Sequence, residues 1–371
     1  MDRVQTYGVG IIGAGFMGRM HSYSHLNIPL YYGPVPCRTR LVGVAAATRP
    51  SAEKLKLAAG FEFATTDWRE LIAHRDIHII HVCTPNIYHA EQVMAALEAD
   101  KHIYCDKPLC TTGNEAEEIA ARLPKTKVIH QMALHNRFFP ATMRARELVE
   151  EGFVGEILAL RAAYLHAGSV NRGAALKWKL DPSISGGGVL FDLGSHVLDL
   201  VQWLVGNLQI VNCTTHIAYA ERPTLDALGK TAAVTGEDAV YITVKTPNGA
   251  VGHIEASKIA TGTLDELRFE IHGEKGALRF NLMQPNYLEA YDQTAPVAKR
   301  GWCALETAQA YPSPAVFPPS KVGVGWVRAH TAGLYNFLAA LAEGKPAEPG
   351  LEVGVQLQHL MAEAYDKATR R

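Results

Sequence analysis

Two segments of the chain carry side chains that can move a proton. The first is YCDKP at residues 104–108, and the second is GGGVLFDLGSH at residues 186–196. Removing a proton from a hydroxyl needs a base whose pKa lies near neutrality, and the unperturbed imidazole of His196 meets that condition. Lys107 meets it only if burial or a neighbouring cation lowers its pKa; as an ammonium it can instead polarise an oxygen atom. The two residue types suit the proton-transfer half of an alcohol oxidation.

Asp192 precedes His196 by four residues, and residues at that spacing share one face of a helix. Asp192 can therefore orient a neighbouring group or bind a substrate hydroxyl. Spacing alone leaves two other interpretations open. One is an ordinary intrahelical pair, and the other is a zinc site completed by Asp199 on the same stripe. We predict no metal, because the sequence has no second cluster of ligands.

A glycine loop lies near the N-terminus, where GAGFMG at residues 13–18 fits GxGxxG between an apolar run and a helical stretch. Gly13 permits a tight turn, Gly15 lets the backbone approach a pyrophosphate, and the third glycine lets helix and strand pack closely. The free N–H groups of the helix N-terminus attract the same anion. We predict a dinucleotide site that includes Gly13, Gly15, Phe16 and Met17; the alternative is a chance glycine-rich turn.

The second strand of such a domain normally ends in an acid that binds the adenosine ribose, but here it ends in AAATR at residues 45–49. Without that acid, a 2′-phosphate is not repelled, and Thr48 and Arg49 can bind it. Alternatively, Arg49 stacks on the adenine ring, which is compatible with either cofactor. These residues lean mildly toward tolerance of NADP.

Composition excludes several classes of protein. The 371 residues are 48% hydrophobic and 20% charged, which suits a globular protein of two domains. A net charge of −1 gives no basic surplus, so nucleic acid is not an expected partner. The six cysteines include no CxxC pair, and we predict that they are reduced thiols. With neither a signal peptide nor an apolar run of 18 residues, we expect a cytoplasmic protein without a membrane span.

Strands and helices alternate in the first third of the chain, which predicts a doubly wound parallel sheet of the Rossmann type. After about residue 150 the pattern changes to half-buried strands joined by turns, which predicts an α+β domain with a large open, mainly antiparallel sheet. Such an open face is a natural dimer surface. His21 and His25, on the helix after the glycine loop, are predicted to be solvated or packing side chains. The predicted domains are residues 1–130, residues 131–350 and a C-terminal helix at 351–371 that packs near the Rossmann domain.

The predicted elements can be listed by domain. Strands of the first domain are expected at residues 8–12, 40–47, 77–83, 102–105 and 127–131, and helices at 16–25, 51–59, 67–72, 89–99 and 114–123. Strands of the second domain are expected at residues 156–166, 210–220, 238–246, 250–258, 266–272 and 276–282, irregular segments at 221–237 and 293–324, and helices at 327–341 and 353–369.

Taken together and in order, these motifs resemble those of a known family, the glucose–fructose oxidoreductase, inositol dehydrogenase and rhizopine-catabolism (Gfo/Idh/MocA) oxidoreductases. The resemblance covers nearly the whole chain. Its motifs are GAGFMG at residues 13–18, VCTPN at 82–86 followed by His89, CDKP at 105–108, HNRFFP at 135–140 and GGGVLFDLGSH at 186–196.

The resemblance implies a role for each matching residue. Lys107 matches the family's catalytic lysine, and Asp192 and His196 match its second motif, with His196 as the proton acceptor. Two departures weaken the match: Asp106 stands where glutamate is usual, and His135 where tyrosine is common. The cofactor residues implied or predicted beyond the glycine loop are Thr48, Arg49, Thr84, Pro85, Asn86, His89, Asp106, Lys107, Gln131 and Asn136.

The segments YLH at residues 164–166, LKWK at 176–179 and GVGW at 323–326 look similar to the inositol, levoglucosan and glycoside 3-dehydrogenase branch. The resemblance implies substrate contacts from His166, Lys179 and His330, besides Lys107, Asp192 and His196. It also favours NAD narrowly over NADP, and a homodimer or homotetramer.

The expected activity is oxidation of a secondary hydroxyl of a cyclic polyol or sugar to a ketone or lactone. The alternatives are a keto-sugar reductase, a glycosidase with tightly held NAD that oxidises its substrate transiently, and a non-catalytic nucleotide-binding module. Oxidation of a secondary hydroxyl requires Lys107 and the Asp192–His196 pair to act on one carbinol beside the nicotinamide.

Overall fold

The computed structural model describes residues 5–224, 230–308 and 323–370. These residues belong to two compact units, the first built from residues 1–138 and 313–356 and the second from 139–312 and 357–371. The α-helices are α1 Phe16–Tyr31, α2 Arg49–Ala59, α3 Arg69–Ala73, α4 His89–Glu98, α5 Gly113–Arg122, α6 Pro140–Glu150, α7 Pro182–Ser185, α8 Ser195–Val205, α9 Trp326–Glu343 and α10 Leu351–Asp366. The strands are β1 Thr6–Ile12, β2 Arg38–Ala45, β3 Phe63–Thr65, β4 Ile79–Val82, β5 His102–Cys105, β6 His130–Met132, β7 Ile157–Leu165, β8 Gln209–His216, β9 Glu221–Pro223, β10 Thr231–Ala233, β11 Ala239–Lys245, β12 Val251–Ser257, β13 Glu266–Gly273, β14 Gly276–Asn281, β15 Tyr287–Asp292, β16 Trp302–Glu306 and β17 Ala368–Arg370.

The first unit is a parallel six-stranded sheet in the order β3-β2-β1-β4-β5-β6. All four residues of β4 are buried, and so are all but the first of β1. Strands covered on both faces read as continuous apolar runs, which is why IHIIHVC and GVGII were recognisable in the sequence. The predicted Rossmann fold is confirmed. β3 has only three residues and gave no pattern strong enough to predict.

Helix α9 belongs to the first unit, whereas the predicted boundaries placed residues 131–350 together in the second domain. Its packing gives the reason: the hydroxyls of Ser24 on α1 and Thr331 on α9 lie 3.2 Å apart, and the Tyr335 hydroxyl donates to the carbonyl of Pro34 over 2.6 Å. The first unit also extends to Phe138 rather than residue 130. A periodic pattern predicts a helix but not the sheet against which that helix packs.

The C-terminal segment also differs from its prediction. Residues 351–356 belong to the first unit, where the backbone N–H of Leu351 donates to His130 Nδ1. Residues 357–371 belong to the second, because β17 adds in parallel to the edge strand β8. The predicted helix at 353–369 therefore ends at Asp366, and two residues predicted to be helical, Ala368 and Thr369, pair as part of a strand instead.

The second unit is a nine-stranded sheet in the order β16-β15-β14-β13-β7-β12-β11-β8-β17. Its pairs are antiparallel except β7 with β12 and β8 with β17, so the predicted, mainly antiparallel sheet is confirmed. Burial alternates along β11 and β13, and α6 and α8 pack on the buried face. This alternation is the period-2 signal that revealed the strands in the sequence.

Both segments predicted to be irregular contain strands. Residues 221–237 include the short antiparallel pair β9–β10, and residues 293–324 include β16, which pairs with β15. These strands form because a neighbouring strand offers unpaired backbone groups, which a local pattern does not show. Residues 225–229 and 309–322, in the same two segments, lie outside the described residues.

One helical stretch of the described chain, Pro182–Val205, is long and apolar enough to cross a membrane by those two criteria alone. Its most apolar window is 78% buried within the fold. Burial of that extent is what the core helix of a globular unit shows, and the stretch contains α8, which packs on β7 and β12.

Candidate active site

The glycine loop forms the turn between β1 and α1. Gly13 has φ of +112°, a conformation that residues with a Cβ rarely adopt, and its N–H donates to the carbonyl of Ala45 over 2.8 Å. A Cβ at Gly13 would overlap the carbonyl oxygen of Cys83, and one at Gly18 would overlap the carbonyl oxygen of Gly13. The protein's own packing therefore requires glycine at both positions.

Gly15 is different, because no atom lies within 4 Å of the place where its Cβ would stand. Its φ of −75° suits any residue, so nothing in the chain itself requires glycine here. Helix α1 begins beside it with no side-chain cap and no acidic residue in its first turn. Uncapped N–H groups next to an open glycine form the cradle that a pyrophosphate fills. The residues present therefore fit a dinucleotide.

Thr48 and Arg49 lie exposed at the start of α2. The Thr48 hydroxyl donates to the Ser51 hydroxyl over 2.9 Å, and Arg49 forms an ion pair of 2.6 Å with Glu53 one turn later. An exposed pair of this kind contributes little to stability and is easily exchanged for another anion. Binding of the adenosine end by these two residues stays a prediction.

His89 ties together the two loops predicted to meet the cofactor. Its Nδ1 lies 2.7 Å from the carbonyl oxygen of Pro108, and its Nε2 lies 2.8 Å from that of Thr84. The Thr84 hydroxyl in turn donates to Gln92 over 2.9 Å. Because both ring nitrogens contact protein carbonyls, we assign buried His89 to holding these loops rather than to direct contact with a cofactor. Pro85 and the buried Asn86 lie on the loop that His89 fixes.

Lys107 follows β5 on the second of these loops. Its backbone N–H donates to Oδ1 of Asp106 over 2.9 Å. Burial, and to a smaller extent the positive charge of Lys107, lower the pKa of His135 to about 3. Lys107 and His135 are therefore close enough to interact, and His135 is neutral beside a cation.

An aromatic cluster joins the glycine turn to α9. The rings of His135 and His330 stack with centroids 3.8 Å apart, Trp326 lies 4.3 Å from His330, and Phe16 lies 5.3 Å from Trp326. His330, predicted to contact substrate, is thus a buried member of the first unit packed between His135 and Trp326. Asn136, also buried, follows His135 directly.

Gln131 is fully buried in the middle of β6, and its amide forms hydrogen bonds within the first unit. Its Nε2 donates to the carbonyl of Gly333 over 2.9 Å, and its Oε1 accepts from Asn336 over 3.0 Å. Both partners lie on α9. Gln131 therefore fastens α9 to the sheet, and its predicted cofactor contact stays a prediction.

In the second unit, Asp192 lies between two lysines. Its Oδ1 is 2.7 Å from Nζ of Lys179, and its Oδ2 is 2.9 Å from Nζ of Lys258. The Lys258 side chain is 6% exposed and that of Lys179 is 47% exposed. An ammonium on each oxygen favours the ionised carboxylate, so Asp192 acts as a fixed anion rather than as the proton acceptor.

His196 is the second residue of α8, one turn after Asp192, and it is buried with its ring 5.8 Å from that of Tyr164. Burial raises the pKa of Tyr164 far above its ordinary value, and the charge of Asp265 and a hydrogen bond with it raise it further. Tyr164 is therefore a neutral hydroxyl beside the imidazole. The turn that carries Asp192, Leu190–Gly194, has π-type hydrogen bonding, so the regular helix predicted for this segment starts only at Ser195.

His166, predicted to contact substrate, lies at the end of β7. Burial lowers its pKa, the charge of Lys258 lowers it further, and Asp192 and Asp265 oppose these effects. Its Nδ1 accepts the backbone N–H of Gly168 over 2.9 Å, which leaves the proton of the neutral ring on Nε2. The structure therefore brings together His166, Lys179 and Asp192 of the predicted substrate set, with Lys258 and Asp265 among them.

Lys258 and Asp265 were not predicted as site residues. For Lys258 a signal existed: β12 buries alternate residues, among them Gly252, Ile254 and Ala256, and the same period puts Lys258 on that buried face. A lysine at a core-facing position needs a partner, which is the mark of a functional or paired charge. Asp265 lies in a turn and offered no such pattern.

No group of three or more His, Cys, Asp or Glu side chains within residues 5–224, 230–308 and 323–370 is placed to hold a metal ion. The zinc interpretation of Asp192, His196 and Asp199 thus finds no support, and two lysines surround the carboxylate that it would need. An ammonium next to a metal ligand competes with the cation for the same oxygen.

A Rossmann sheet with an open, uncapped glycine turn, together with a unit rich in paired ionisable groups, defines a dinucleotide-dependent enzyme of two units. The family comparisons agree with this class. Residues 7–134 match the model of the oxidoreductase family with an NAD-binding Rossmann fold, and residues 142–279 match that of the GFO/IDH/MocA C-terminal domain. The chain belongs to the GFO/IDH/MocA oxidoreductases, and it is an NAD-dependent oxidoreductase that acts on CH–OH groups.

Individual relatives give finer detail. The levoglucosan dehydrogenase of Pseudarthrobacter phenanthrenivorans is 34% identical over 366 residues, which cover 95% of this chain and 94% of that protein. The inositol 2-dehydrogenase of Rhizobium meliloti is 26% identical over 285 residues, covering 76% of this chain and 78% of that protein. A solved levoglucosan dehydrogenase in complex with NADH and levoglucosan superposes with a TM-score of 0.92 at 33% identity, covering 98% of this chain and 97% of that one.

Proposed function

We propose that the protein oxidises a secondary hydroxyl of a cyclic sugar or polyol, with an anhydrosugar such as levoglucosan as the first substrate to test. The observation that carries the proposal is the cluster around Asp192, where Lys179, Lys258 and His166 supply donors and Asp192 and Asp265 supply acceptors. A site that reads several hydroxyls needs both kinds of group close together. The similarity to levoglucosan dehydrogenase over 95% of the chain supports this choice.

The proposed division of work assigns the proton to His196 and the oxygen to Lys107. His196 accepts the hydroxyl proton, because an imidazole is the base whose ordinary pKa suits that step near neutrality. Lys107, as an ammonium, donates a hydrogen bond to the same oxygen and stabilises the negative charge that develops there. Asp192, held as an anion by its two lysines, accepts hydrogen bonds from neighbouring hydroxyls of the ring and orients it.

Gly13, Gly15, Phe16 and Met17 are proposed to hold the pyrophosphate end of NAD, and Thr84, Pro85 and Asn86 the nicotinamide end. When bound, the nicotinamide supplies the acceptor for the hydride that leaves the carbinol carbon. Asp106 and Asn136 are proposed to reach ribose hydroxyls, Asp106 with a shorter side chain than the glutamate usual in the family. Thr48 and Arg49 are proposed to bind the adenosine end.

The direct test is to incubate the protein with NAD or NADP and a panel of levoglucosan, inositols, hexoses and glucosides, and to follow the absorbance of the reduced cofactor. We expect reduction with NAD and at least one cyclic polyol. Lys107→Ala is expected to lower kcat by about 10²- to 10⁴-fold. The matched control is Lys101→Ala, since Lys101 donates to backbone carbonyls of His74 and Ile77 in the same unit. Reduction with none of the compounds would contradict the proposal.

The alternatives give distinct outcomes in the same assay. Oxidation of NADH by a keto sugar, without the forward reaction, identifies a reductase. Release of an aglycone from a glycoside without net change in the cofactor identifies a glycosidase with transient oxidation. Binding of NAD with no turnover, unchanged by Lys107→Ala, identifies a nucleotide-binding module.

We also propose a homodimer or homotetramer formed through the uncovered face of the nine-stranded sheet. This face carries Tyr241 and Val251, both exposed, beside the Arg161–Glu270 pair, a mixture typical of subunit interfaces. A molar mass equal to that of a single chain, measured by light scattering, would contradict the proposed oligomer. The free state of all six cysteines supports the further proposal of a cytoplasmic location, which cell fractionation tests.

A further inference from the structure

The turn that carries Asp192 has an unusual N-terminus. The first N–H groups of a helical segment have no partner within it, and this segment begins with three glycines where a capping side chain would be expected. Gly188, Val189 and Leu190 nevertheless all donate to one distant residue, Glu237. The N–H of Gly188 donates to Oε2 over 3.2 Å, that of Val189 to the backbone carbonyl over 2.8 Å, and that of Leu190 to Oε1 over 2.9 Å.

This approach is so close that it requires glycine. A Cβ at Gly188 would overlap the backbone N and O of Glu237, and a Cβ at Gly187 would overlap the hydroxyl of Tyr365. Gly186, with φ of +82°, ends α7 and turns the chain into this contact. The glycine run therefore serves a contact inside the second unit.

Glu237 is itself held on both sides. The Tyr365 hydroxyl donates to its Oε1 over 2.9 Å and accepts the N–H of Gly188 over 3.2 Å, while the Tyr365 ring stacks on Phe191 with an interplanar angle of 13°. The next residue, Asp238, is fully buried and accepts the N–H of Ala218 over 3.0 Å. The Glu237 carboxylate is thus a fixed acceptor rather than a mobile side chain.

The same dipeptide also reaches Lys258. The backbone N–H of Lys258 donates to the carbonyl of Asp238 over 2.8 Å. Glu237 therefore fixes the turn that carries Asp192, and its neighbour fixes the backbone of the lysine that pairs with Asp192. Glu237 and Asp238, two consecutive buried residues, therefore hold the backbone on both sides of the Asp192–Lys258 ion pair.

We propose that Glu237 is a positioning residue for catalysis, which caps the Leu190–Gly194 turn from a distance and so sets where Asp192 lies relative to Lys258. The catalytic part of this inference rests on the proposed function. A carboxylate is required, because it accepts on both oxygens, whereas an amide would present an N–H to one of the backbone donors. Its negative charge also complements the N-terminal end of the helical segment. Burial raises the pKa of Glu237, while the N–H groups of Leu190 and Gly188 and the Tyr365 hydroxyl lower it.

The test compares Glu237→Gln and Tyr365→Phe with Glu274→Gln, an exposed change in the same unit. Amide hydrogen exchange over residues 186–196 reads the turn directly and does not depend on activity. We expect Glu237→Gln to speed exchange at residues 188–190 by at least about tenfold and to lower kcat by about 10- to 100-fold. The dissociation constant for NADH should stay within about twofold, since its predicted residues lie in the first unit. Tyr365→Phe should also speed exchange at residues 188–190, and it should lower kcat by about two- to tenfold.

Faster exchange at residues 188–190 with a lowered kcat and unchanged NADH binding supports the proposal. Unchanged exchange in a folded Glu237→Gln protein overturns it, and so does faster exchange with wild-type kcat. If Glu237→Gln fails to fold, Tyr365→Phe decides by the same two measurements. If the wild-type protein oxidises no polyol, the proposed function fails separately, and hydrogen exchange alone still decides whether Glu237 fixes the turn.

Discussion

The ammonium of Lys258 lies 2.9 Å from Oδ2 of Asp192 while its side chain is only 6% exposed. A buried cation is stable only when an anion and hydrogen-bond acceptors surround it. Lys179 reaches the other oxygen of the same carboxylate from a half-exposed position. The two lysines therefore differ in burial but share one anion, which makes them a matched pair for experiment.

Lys258→Met is expected to lower kcat/KM for the polyol by about 10- to 100-fold, because Asp192 loses the partner that fixes its second oxygen. Removing this buried cation also leaves Asp192 with Lys179 as its one remaining lysine partner, at a cost of up to about 3 kcal/mol in the free energy of unfolding. Lys179→Met is the control for stability, since a half-exposed pair contributes about 1 kcal/mol or less. Steady-state kinetics and urea denaturation of both variants check this prediction. Equal effects of the two substitutions on stability would show that burial of Lys258 does not matter.

Gly13 and Gly15 are two residues apart in the same motif, but substitutions at the two positions are expected to have different effects. The first should lower stability, and the second should weaken binding of the dinucleotide. Gly13→Ala places a side chain in the left-handed region and against Cys83, so we expect a loss of about 1–3 kcal/mol or more in stability. Gly15→Ala meets no protein atom, so the fold should persist while the new methyl group occupies the space predicted for the pyrophosphate.

For Gly15→Ala we expect the NADH dissociation constant to rise at least about tenfold, or about 1.4 kcal/mol, with little change in the thermal midpoint. Fluorescence titration with NADH and differential scanning fluorimetry measure the two quantities. Wild-type affinity in the Gly15→Ala protein would mean that the dinucleotide does not approach the backbone at this turn.

The glycine turn could be predicted from the sequence for a physical reason, and the segment that carries Asp192 and His196 could be located there as well. Gly13 and Gly18 are required by contacts between residues that are close in the fold and fixed in spacing, so the motif survives as a pattern. The strands around them are buried on both faces and read as apolar runs. The partners of Asp192, by contrast, come from residues 13 and 66 positions away, and no local pattern connects them.

Three residues predicted to contact the cofactor or the substrate also hold parts of the fold together. Gln131 and His89 were predicted as cofactor residues, and the family resemblance implied a substrate contact from His330. The structure uses the amide of Gln131 and both nitrogens of His89 for protein carbonyls and amides, and it stacks His330 on His135. Some polar side chains near a site contact the ligand, and others hold the surrounding loops. The contacts seen in a structure are needed to tell the two groups apart.

Arg49 offers a test of cofactor choice. Its guanidinium is paired with Glu53 over 2.6 Å and is well exposed, so it can release that partner at little cost. Arg49→Ala is therefore expected to raise KM for NADP more than KM for NAD, because a 2′-phosphate gains more from a guanidinium than a 2′-hydroxyl does. Glu53→Ala removes the partner of Arg49 and should lower the ratio of KM for NADP to KM for NAD, which is the opposite change. Equal changes in both KM values for Arg49→Ala would instead indicate stacking on adenine.

A chain of buried imidazoles crosses the first unit. His25 Nδ1 lies 3.0 Å from the Thr39 hydroxyl, the Nε2 atoms of His25 and His81 lie 3.0 Å apart, and the Nδ1 atoms of His81 and His21 lie 3.1 Å apart. Two imidazoles that share a hydrogen bond need one to donate and one to accept, so the chain is satisfied when each ring is neutral. The prediction of packing histidines at His21 and His25 agrees with this arrangement, whereas solvated side chains do not.

Acid should therefore destabilise the protein through these rings. Burial lowers the pKa of His21 to about 4 and that of His25 to about 3, and it lowers the pKa of His81 well below its ordinary value. In the unfolded chain the same groups titrate near 6.5, so between that pH and the folded pKa only the unfolded state takes up protons. Their contribution is complete above pH about 6.5 and is lost as the pH falls toward 4 and 3, at about 1.4 kcal/mol per pH unit for each ring.

His25→Gln should keep a hydrogen-bonding side chain while removing one titrating group, so stability is expected to fall less steeply with acid than in the wild type. The exposed His216→Gln serves as the control and should leave the slope unchanged. Urea denaturation at several pH values between 7.5 and 4.5 measures both slopes, with buried His135 and partly buried His102 contributing equally to each protein. An identical slope for His25→Gln and wild type would show that His25 takes up its proton in the folded chain, which would break the neutral hydrogen-bonded chain described above.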